Sequence, residues 1–435
     1  MPASALAPAT PSRAFRIPYL RWWIGGLLLI ASILNYVDRQ ALSILAPTIQ
    51  SELAISDVQY GNIVSWFLAA YTVAFLLSGR LVDLVGTRLG LALFVGWWSV
   101  ANALTGLANS VASLGFFRFL LGLGEAGGYT TSPKVVAEWF PAKERGIAVG
   151  LYSVGGALGA TIAPLLVIGL AAQFGWRSVF FVTGAFGVLF AVFWFWFFQR
   201  PQTHPRLADA ERAHIFAGQE SAAAIAAAPA LSTMQAWQRI FRSPAIWALM
   251  FARLLTDPVW YFYQFWMAKY LHAERGFDQK ELASMWLIFV AADIGFLISG
   301  FISAWFIKRG ATPVHSRRRV LLFCAALVPA GALVPLMTTS PAVFAVSMVV
   351  VFAHAAWLTA LTTYLVDLIP RTILGTAIGF IGAGSALGGI FMNQSVPWVI
   401  ANYSYAPCFY AMIAVHPLAL GLIYRFARQP VVLAA

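Results

Sequence analysis

Asp38, Arg39, Arg118 and Glu125 stand inside long apolar stretches of this 435-residue chain. A side chain that ionises at the centre of a bilayer costs at least ~2.5–3.5 kcal/mol, so each persists there only with a partner or a task. Asp38 and Arg39 are consecutive and point about 100° apart on a helix. They are therefore expected to serve different groups, Asp38 a charge on another helix and Arg39 a cavity. Arg118 and Glu125 lie two turns apart on one face, with Gly122 and Gly124 thinning the helix between them. An arginine at cavity depth suits a carboxylate, because its planar fork donates two parallel hydrogen bonds. Two acids confined with two arginines at low dielectric bind protons according to which partner is close, so a conformational change can load or release one. A static salt network would not require four charges on two helices of the same half.

The second half is poorer in such groups. Arg253 and Asp257, at i and i+4, form a self-neutralising pair, and Asp257-Pro258 marks an expected local break. Asp293 lies on the next span, and His354 further on reads first as a hydrogen-bonded structural residue, with a proton relay as the alternative. Tyr36, Tyr71, Tyr129, Trp357, Thr359 and Thr362 lie at depths where they could line a pocket. Tyr71 belongs to the series Phe67–Tyr71–Phe75–Gly79–Asp83, one helix face that fits a pocket wall or plain packing equally well.

The elements that hold these residues follow from composition. Hydrophobic residues make up 60% of the chain and charged residues 10%, with a mean hydropathy of +0.78. A soluble domain carries roughly 25% charged residues, so most of this surface faces lipid. A span needs roughly 20 apolar residues, which places helices at about 22–45, 61–83, 90–109, 113–136, 147–170, 177–199, 245–271, 283–307, 318–339, 342–366, 373–398 and 405–427. Most of the 28 Lys and Arg then fall on one side, among them Arg13, Arg80, Arg88, Lys143, Lys308 and Arg371, while Arg177, Lys269, Arg275 and Lys280 fall opposite. The positive-inside rule puts both termini and the central loop in the cytoplasm, and the net charge of +12 does not point to nucleic acid. The expected division is a cytoplasmic tail 1–21, a six-helix bundle 22–199, a cytoplasmic linker 200–244, a second bundle 245–427 and a tail 428–435. The first helix is read as retained, since no cleavage pattern precedes it. Cys324 and Cys408 sit in apolar segments and argue against a disulfide framework or metal cluster.

A repeat supports the two halves. The segment EWFPAKERGIAVGLYSVGGALGA from Glu138 aligns with DLIPRTILGTAIGFIGAGSALGG from Asp367, matching Pro141 with Pro370, Gly146 with Gly375, Gly150 with Gly379 and Gly155 with Gly384. The same offset places His354 where the first half has Glu125. Halves with an even number of spans share one orientation, and transporters built this way bind substrate near the midplane between them. The recurrent glycines allow close helix approach, as tight packing or as surfaces that slide during alternating access.

These residues resemble a known family. Gly79-Arg-Leu-Val-Asp83 with Gly86-Thr-Arg88 is similar to the loop signature of the major facilitator superfamily, departing at Leu84 where a basic residue is usual, and Arg118-x-x-x-Gly122-x-Gly124 resembles its helix 4 motif. Asn35-Tyr-x-Asp-Arg39 with Glu125 looks like the anion:cation symporter family. Thr256-Asp-Pro-Val-Trp-Tyr-Phe-Tyr-x-Phe-Trp266 and Ala353-His-x-x-Trp357 look like its bacterial hexuronate-transporter branch. The resemblance implies Arg39 as carboxylate ligand, Asp38 and Glu125 as proton-coupling groups, Arg118 as partner of Glu125, and Tyr71 and Trp357 in the pocket. In that branch asparagines are usual where this chain has Ser153, Ala157 and Ala360, so weak discrimination at substrate hydroxyls is expected.

The expectation is an all-α membrane protein of twelve spans that carries out proton-coupled symport of an organic carboxylate, a hexuronate or related sugar acid. Its substrate-binding residues would be Arg39, Tyr36, Tyr71, Tyr129, Ser153, Trp357 and Thr359. No cofactor or metal is expected, with a proton as coupling ion and sodium as the alternative. The protein would work as a monomer in the inner membrane, contacting lipid and its carboxylate but no nucleic acid. A drug or metabolite antiporter of the same fold is the rival. It is disfavoured because Pro164 follows Ala163 instead of a glycine and because a cavity arginine suits an anion. A membrane-embedded enzyme is disfavoured because the six histidines show no ligand spacing.

Overall fold

The computed structural model describes residues 15–217, 231–277, 283–429 and 431. Arg13 and Lys280, most of the N-terminal tail, the middle of the linker and the end of the C-terminal tail lie outside the described residues. The first half comprises α1 (Leu20–Leu53), α2 (Asp57–Thr105), α3 (Val111–Trp139), α4 (Ala142–Phe174) and α5 (Trp176–Phe197). Two short helices follow, α6 (Asp209–Phe216) and α7 (Thr233–Phe241). The second half comprises α8 (Pro244–Phe265), α9 (Met267–Arg275), α10 (Trp286–Lys308), α11 (Pro313–Leu327), α12 (Ser340–Leu368), α13 (Leu374–Asn402), α14 (Ala406–Tyr410) and α15 (Met412–Phe426).

Among the described residues, 9 helical stretches are long and apolar enough to cross a membrane. One of them, in α2, has 48 residues and at 1.5 Å per residue is long enough for two crossings. The chain turns inside it at Gly86, where φ is +81°, a left-handed value that glycine adopts without a Cβ clash. The two separate helices expected at 61–83 and 90–109 are thus joined by a kink in place of a loop. Helix α3 is less apolar than these, since it carries Arg118, Glu125, Lys134 and Glu138. With α3 and the α8–α9 pair the crossings number twelve, six in each half.

Three other boundaries differ from expectation. The chain stays helical through Pro258 and breaks instead at Trp266, between α8 and α9. Gly388 of α13 backs onto the Leu254 carbonyl and the Pro258 ring, so close packing holds the helix where proline removes a hydrogen bond. The Trp266 indole N–H donates to Asn393 Oδ1 at 3.0 Å. The expected helix at 318–339 turns 3-10 from Val328 to Leu336, a segment containing Pro329 and Pro335. The last span is broken at Ala411, between α14 and α15.

Repeat glycines set the contact between the halves. A Cβ on Gly150 would collide with the Phe296 carbonyl of α10, and one on Gly146 would meet Gly300. In the second half the aligned Gly379 abuts the Phe75 carbonyl of α2, and Gly375 abuts Gly79. The second members of each series do a different task, for Gly155 and Gly159 pack on α1 whereas Gly384 and Gly388 pack on α8. The face Phe67–Tyr71–Phe75–Gly79–Asp83 is therefore turned toward the opposite half.

Ionic contacts at the basic end join the halves. Asp83 accepts from Lys134 Nζ at 2.5 Å and, across the interface, from the backbone N–H groups of Gly375 at 2.9 Å and Thr376 at 2.7 Å. A carboxylate there satisfies two of the free N–H groups that open α13 and complements its dipole. Asp367 of α12 accepts from Arg145 of α4 at 2.6 Å and from Arg317 of α11 at 3.3 Å. Arg371 donates to the Ala137 carbonyl at 2.6 Å.

Gly150→Leu and Gly379→Leu should force this end apart. Spin labels on the exposed ends of α4 and α10, at Lys143 and Arg309, should report a longer distance in both variants than in the unsubstituted protein. An unchanged distance distribution would show that the glycines do not hold the contact closed.

Candidate functional site

Helix α1 presents Tyr36, Asp38 and Arg39, and α3 presents Arg118, Glu125 and Tyr129. The two helices come together because α3 is thin where it faces α2. Side chains at Gly122 or Gly124 would strike the Phe67 carbonyl or the Trp97 and Trp98 rings. In this packing Glu125 is fully buried and receives Arg39. Arg39 Nε and Nη2 both donate to Glu125 Oε2, at 2.9 and 2.6 Å, while 29% of the Arg39 side chain remains exposed. The guanidinium also lies over the rings of Tyr71 at 4.9 Å, Tyr36 at 5.4 Å and Phe67 at 5.5 Å. Three π faces around one cation hold it in place while part of its side chain stays exposed.

Asp38 points away from Arg39, as consecutive helical residues must. Its Oδ1 accepts from Asn102 Nδ2 at 2.7 Å, and the same amide reaches Thr183 Oγ1 at 2.7 Å. Asn102 and Thr183 were not among the expected site residues, although an asparagine inside an apolar span is itself a legible signal. Arg118 Nη1 donates to the Asp38 carbonyl at 3.4 Å, and its guanidinium lies over Phe180. The expected Arg118–Glu125 pair does not form here, because residues seven apart on a helix are separated by about 10 Å along its axis. Glu125 pairs instead with Arg39. Arg118 Nε and Nη2, Asp38 Oδ2 and Glu125 Oε1 are buried with no hydrogen-bond partner.

Tyr71 stacks on Phe67 and meets Phe75 edge-on, and Tyr129 packs near Phe75. Tyr129 also borders a small cavity with Ser32, Asn35, Trp98, Ser132 and Tyr152. Tyr36, Tyr71 and Tyr129 thus gather near Arg39. Ser153 lies on the neighbouring α4, but its hydroxyl donates to the Val149 carbonyl at 2.8 Å on its own helix.

Trp357 and Thr359 lie elsewhere, in correction of the expectation. Trp357 is fully buried inside the second half and packs edge-on against His416 of α15, with ring centroids 5.0 Å apart. The Thr359 hydroxyl donates to the Phe296 carbonyl of α10 at 3.1 Å. Both faces of α12 that carry these residues are sealed against other helices of its own bundle. His354, placed by the repeat where the first half has Glu125, also turns inward and meets His416 at 3.1 Å. The expected Arg253–Asp257 pair forms at 2.8 Å. The Tyr261 and Ser385 oxygens, on α8 and α13, lie 3.4 Å apart. Among the described residues no cluster of His, Cys, Asp and Glu is arranged to hold a metal.

Comparison with known proteins agrees with this architecture. The sequence profile of the Major Facilitator Superfamily matches residues 28–314. A hexuronate transporter of Escherichia coli (strain K12) is 32% identical over 413 residues, 94% of each chain. A galacturonate transporter of Dickeya chrysanthemi is 34% identical over 318 residues, 73% of this chain and 91% of that one. The proton:xylose symporter XylE, solved with 6-bromo-6-deoxy-D-glucose, shares the fold with a TM-score of 0.68 at 14% identity, over 93% of this chain and 95% of that one. Twelve crossings in two pseudo-symmetric halves thus accompany sequence similarity over nearly the whole chain, and the protein belongs to the major facilitator superfamily of multi-pass membrane transporters.

Proposed function

We propose that the protein takes up an organic carboxylate, a hexuronate or related sugar acid, by proton-coupled symport through alternating access. The Arg39–Glu125 contact carries this reading. Glu125 places a carboxylate oxygen in the fork of a guanidinium on a partly exposed side chain. Glu125 there stands where a substrate carboxylate would compete for the same donors. Ionised, Glu125 holds Arg39; protonated, it gives up the charge-assisted bonds and Arg39 turns to the substrate. Proton and substrate then bias the same two-state equilibrium, which is the requirement for coupling.

Asp38 is the second proton site in this scheme, and Arg118 is the positive charge that remains near both acids. Tyr36, Tyr71 and Tyr129 line the anion site. The hexuronate and galacturonate transporters among the relatives support the sugar-acid class, and the proton:xylose symporter with the same fold fits proton coupling. With the basic end in the cytoplasm of the cell, as the positive-inside rule directs, the contacts at Asp83 and Asp367 close the cytoplasmic side.

Arg39→Lys keeps the charge and loses the fork, so galacturonate should bind at least tenfold more weakly, measured on purified protein by calorimetry. Wild-type affinity in this variant would place the anion site elsewhere. Glu125→Gln mimics the protonated acid permanently. In reconstituted vesicles it should abolish accumulation driven by a pH gradient while counterflow of labelled galacturonate continues, because exchange needs no net proton movement. Persistent gradient-driven accumulation would remove Glu125 from the coupling path.

A further inference from the structure

Asn35 stands three residues before Asp38 on α1, Trp98 four before Asn102 on α2, and Tyr129 four after Glu125 on α3. Helix α1 and the second crossing of α2 run away from the basic end, whereas α3 runs toward it, so all three steps lead the same way. The three side chains thus share a level one helical turn, about 6 Å, nearer the basic end than Asp38, Asn102 and Glu125. At that level they border one cavity of about 20 Å³, together with Ser32, Ser132 and Tyr152.

The walls of this cavity carry unspent polarity. Both amide atoms of Asn35 and the Trp98 indole N–H are buried without hydrogen-bond partners. Asn35 is 4% exposed and Trp98 0%. Ser132 donates to the Gly128 carbonyl at 2.8 Å, which leaves its oxygen able to accept. Such a set decides what it can hold. A hard cation takes oxygen lone pairs alone, and the N–H groups of Asn35 and Trp98 oppose it. A carboxylate or a sugar is too large for the space. A water molecule needs roughly 10–15 Å³ and two to four polar partners, donors and acceptors alike, and it meets both here.

Resting on Glu125 as the coupling acid, we propose that Asn35 and Trp98 hold a water molecule that carries the Glu125 proton toward the basic end, with the Tyr129 hydroxyl between them. A proton passes only between groups at hydrogen-bond distance, directly or through one water, and a full turn of helix is too far without a carrier. The water takes a proton on the Glu125 side and releases another on the far side. One proton moves and the water is left as it was. Asn35 and Trp98 are positioning residues in this scheme, since they hold the carrier and touch neither the substrate nor Glu125.

Two measurements on the purified full-length protein test the site. Brief X-ray irradiation activates bound water and oxidises the side chains beside it. Trp98 and Tyr152 should be oxidised at least threefold faster than Trp194, which is equally buried but has its indole bonded to the Arg88 carbonyl. In Asn35→Leu, which keeps the volume and removes the amide, that excess should disappear. In reconstituted vesicles Asn35→Leu should slow galacturonate accumulation under a pH gradient at least fivefold, and Trp98→Phe at least threefold, while counterflow stays within twofold. Asn35→Ser, which still donates and accepts, should keep at least half of the gradient-driven rate. Oxidation of Trp98 and Tyr152 no faster than that of Trp194 would overturn the water site. Undiminished accumulation by Asn35→Leu would take the water off the proton path, and an equal loss of accumulation and counterflow in both variants would overturn the relay in favour of a structural role. If Glu125→Gln still accumulates substrate, the coupling reading falls and the relay with it. A failure confined to the Asn35 and Trp98 variants removes the relay alone.

Discussion

A carboxylate removed from water needs a cation or a proton, and the binding region of this protein is organised around that requirement at Glu125. Fully buried on α3, it takes both near donors of Arg39 from α1. Removing one member of such a pair leaves an uncompensated buried charge, which typically costs 3–5 kcal/mol. That penalty falls whenever Glu125 gains a proton or Arg39 gains another anion. In the proposed cycle these two events are what open the pair. The glycines at 122 and 124 matter for the same reason, since they bring α2 close enough to supply the aromatic cage that keeps Arg39 beside its partner.

Around this pair the first half carries more polarity than it satisfies. Asp38 Oδ2, both amide atoms of Asn35, Arg118 Nε and Nη2, and Glu125 Oε1 are buried without partners. Buried polar groups are nearly always hydrogen-bonded, so these atoms stand out around the Arg39–Glu125 pair. The second half differs in kind. His354 and His416 pair with each other inside its own core, and Trp357 closes over them. Among the described residues it too holds buried polar atoms without partners, including Arg253 Nε, Asp293 Oδ1 and Ser347 Oγ.

The basic end closes by backbone approach and by capping, both of which follow from small residues at repeat positions. Gly146 and Gly150 bring α4 onto α10, and Gly375 and Gly379 bring α13 onto α2. Once α13 is that near, its free N–H groups lie within reach of Asp83. Asp367 balances this from the other half through Arg145 and Arg317.

The amino-acid sequence by itself determined the membrane class, the two halves, the basic face and the four charged residues of the first half. Each depends on composition, on spacing or on a repeat at one offset, which are properties of the chain. The helical spacing also placed Arg253 with Asp257 correctly, since partners at i and i+4 meet on any helix. Which charge meets Glu125 depended on how α1 packs on α3, and only the tertiary structure decided for Arg39 over Arg118. The same holds for Trp357 and Thr359: their depth in α12 was legible, but which face of α12 turns to the cleft is set by α10 and α15 packing against it. Pro258 and Gly86 show the point at the backbone. A proline that breaks an isolated helix is held in α8 by Gly388, and a glycine expected in a loop turns one continuous helix back across the membrane. Local rules give each residue its options, and the neighbours brought by the fold choose among them.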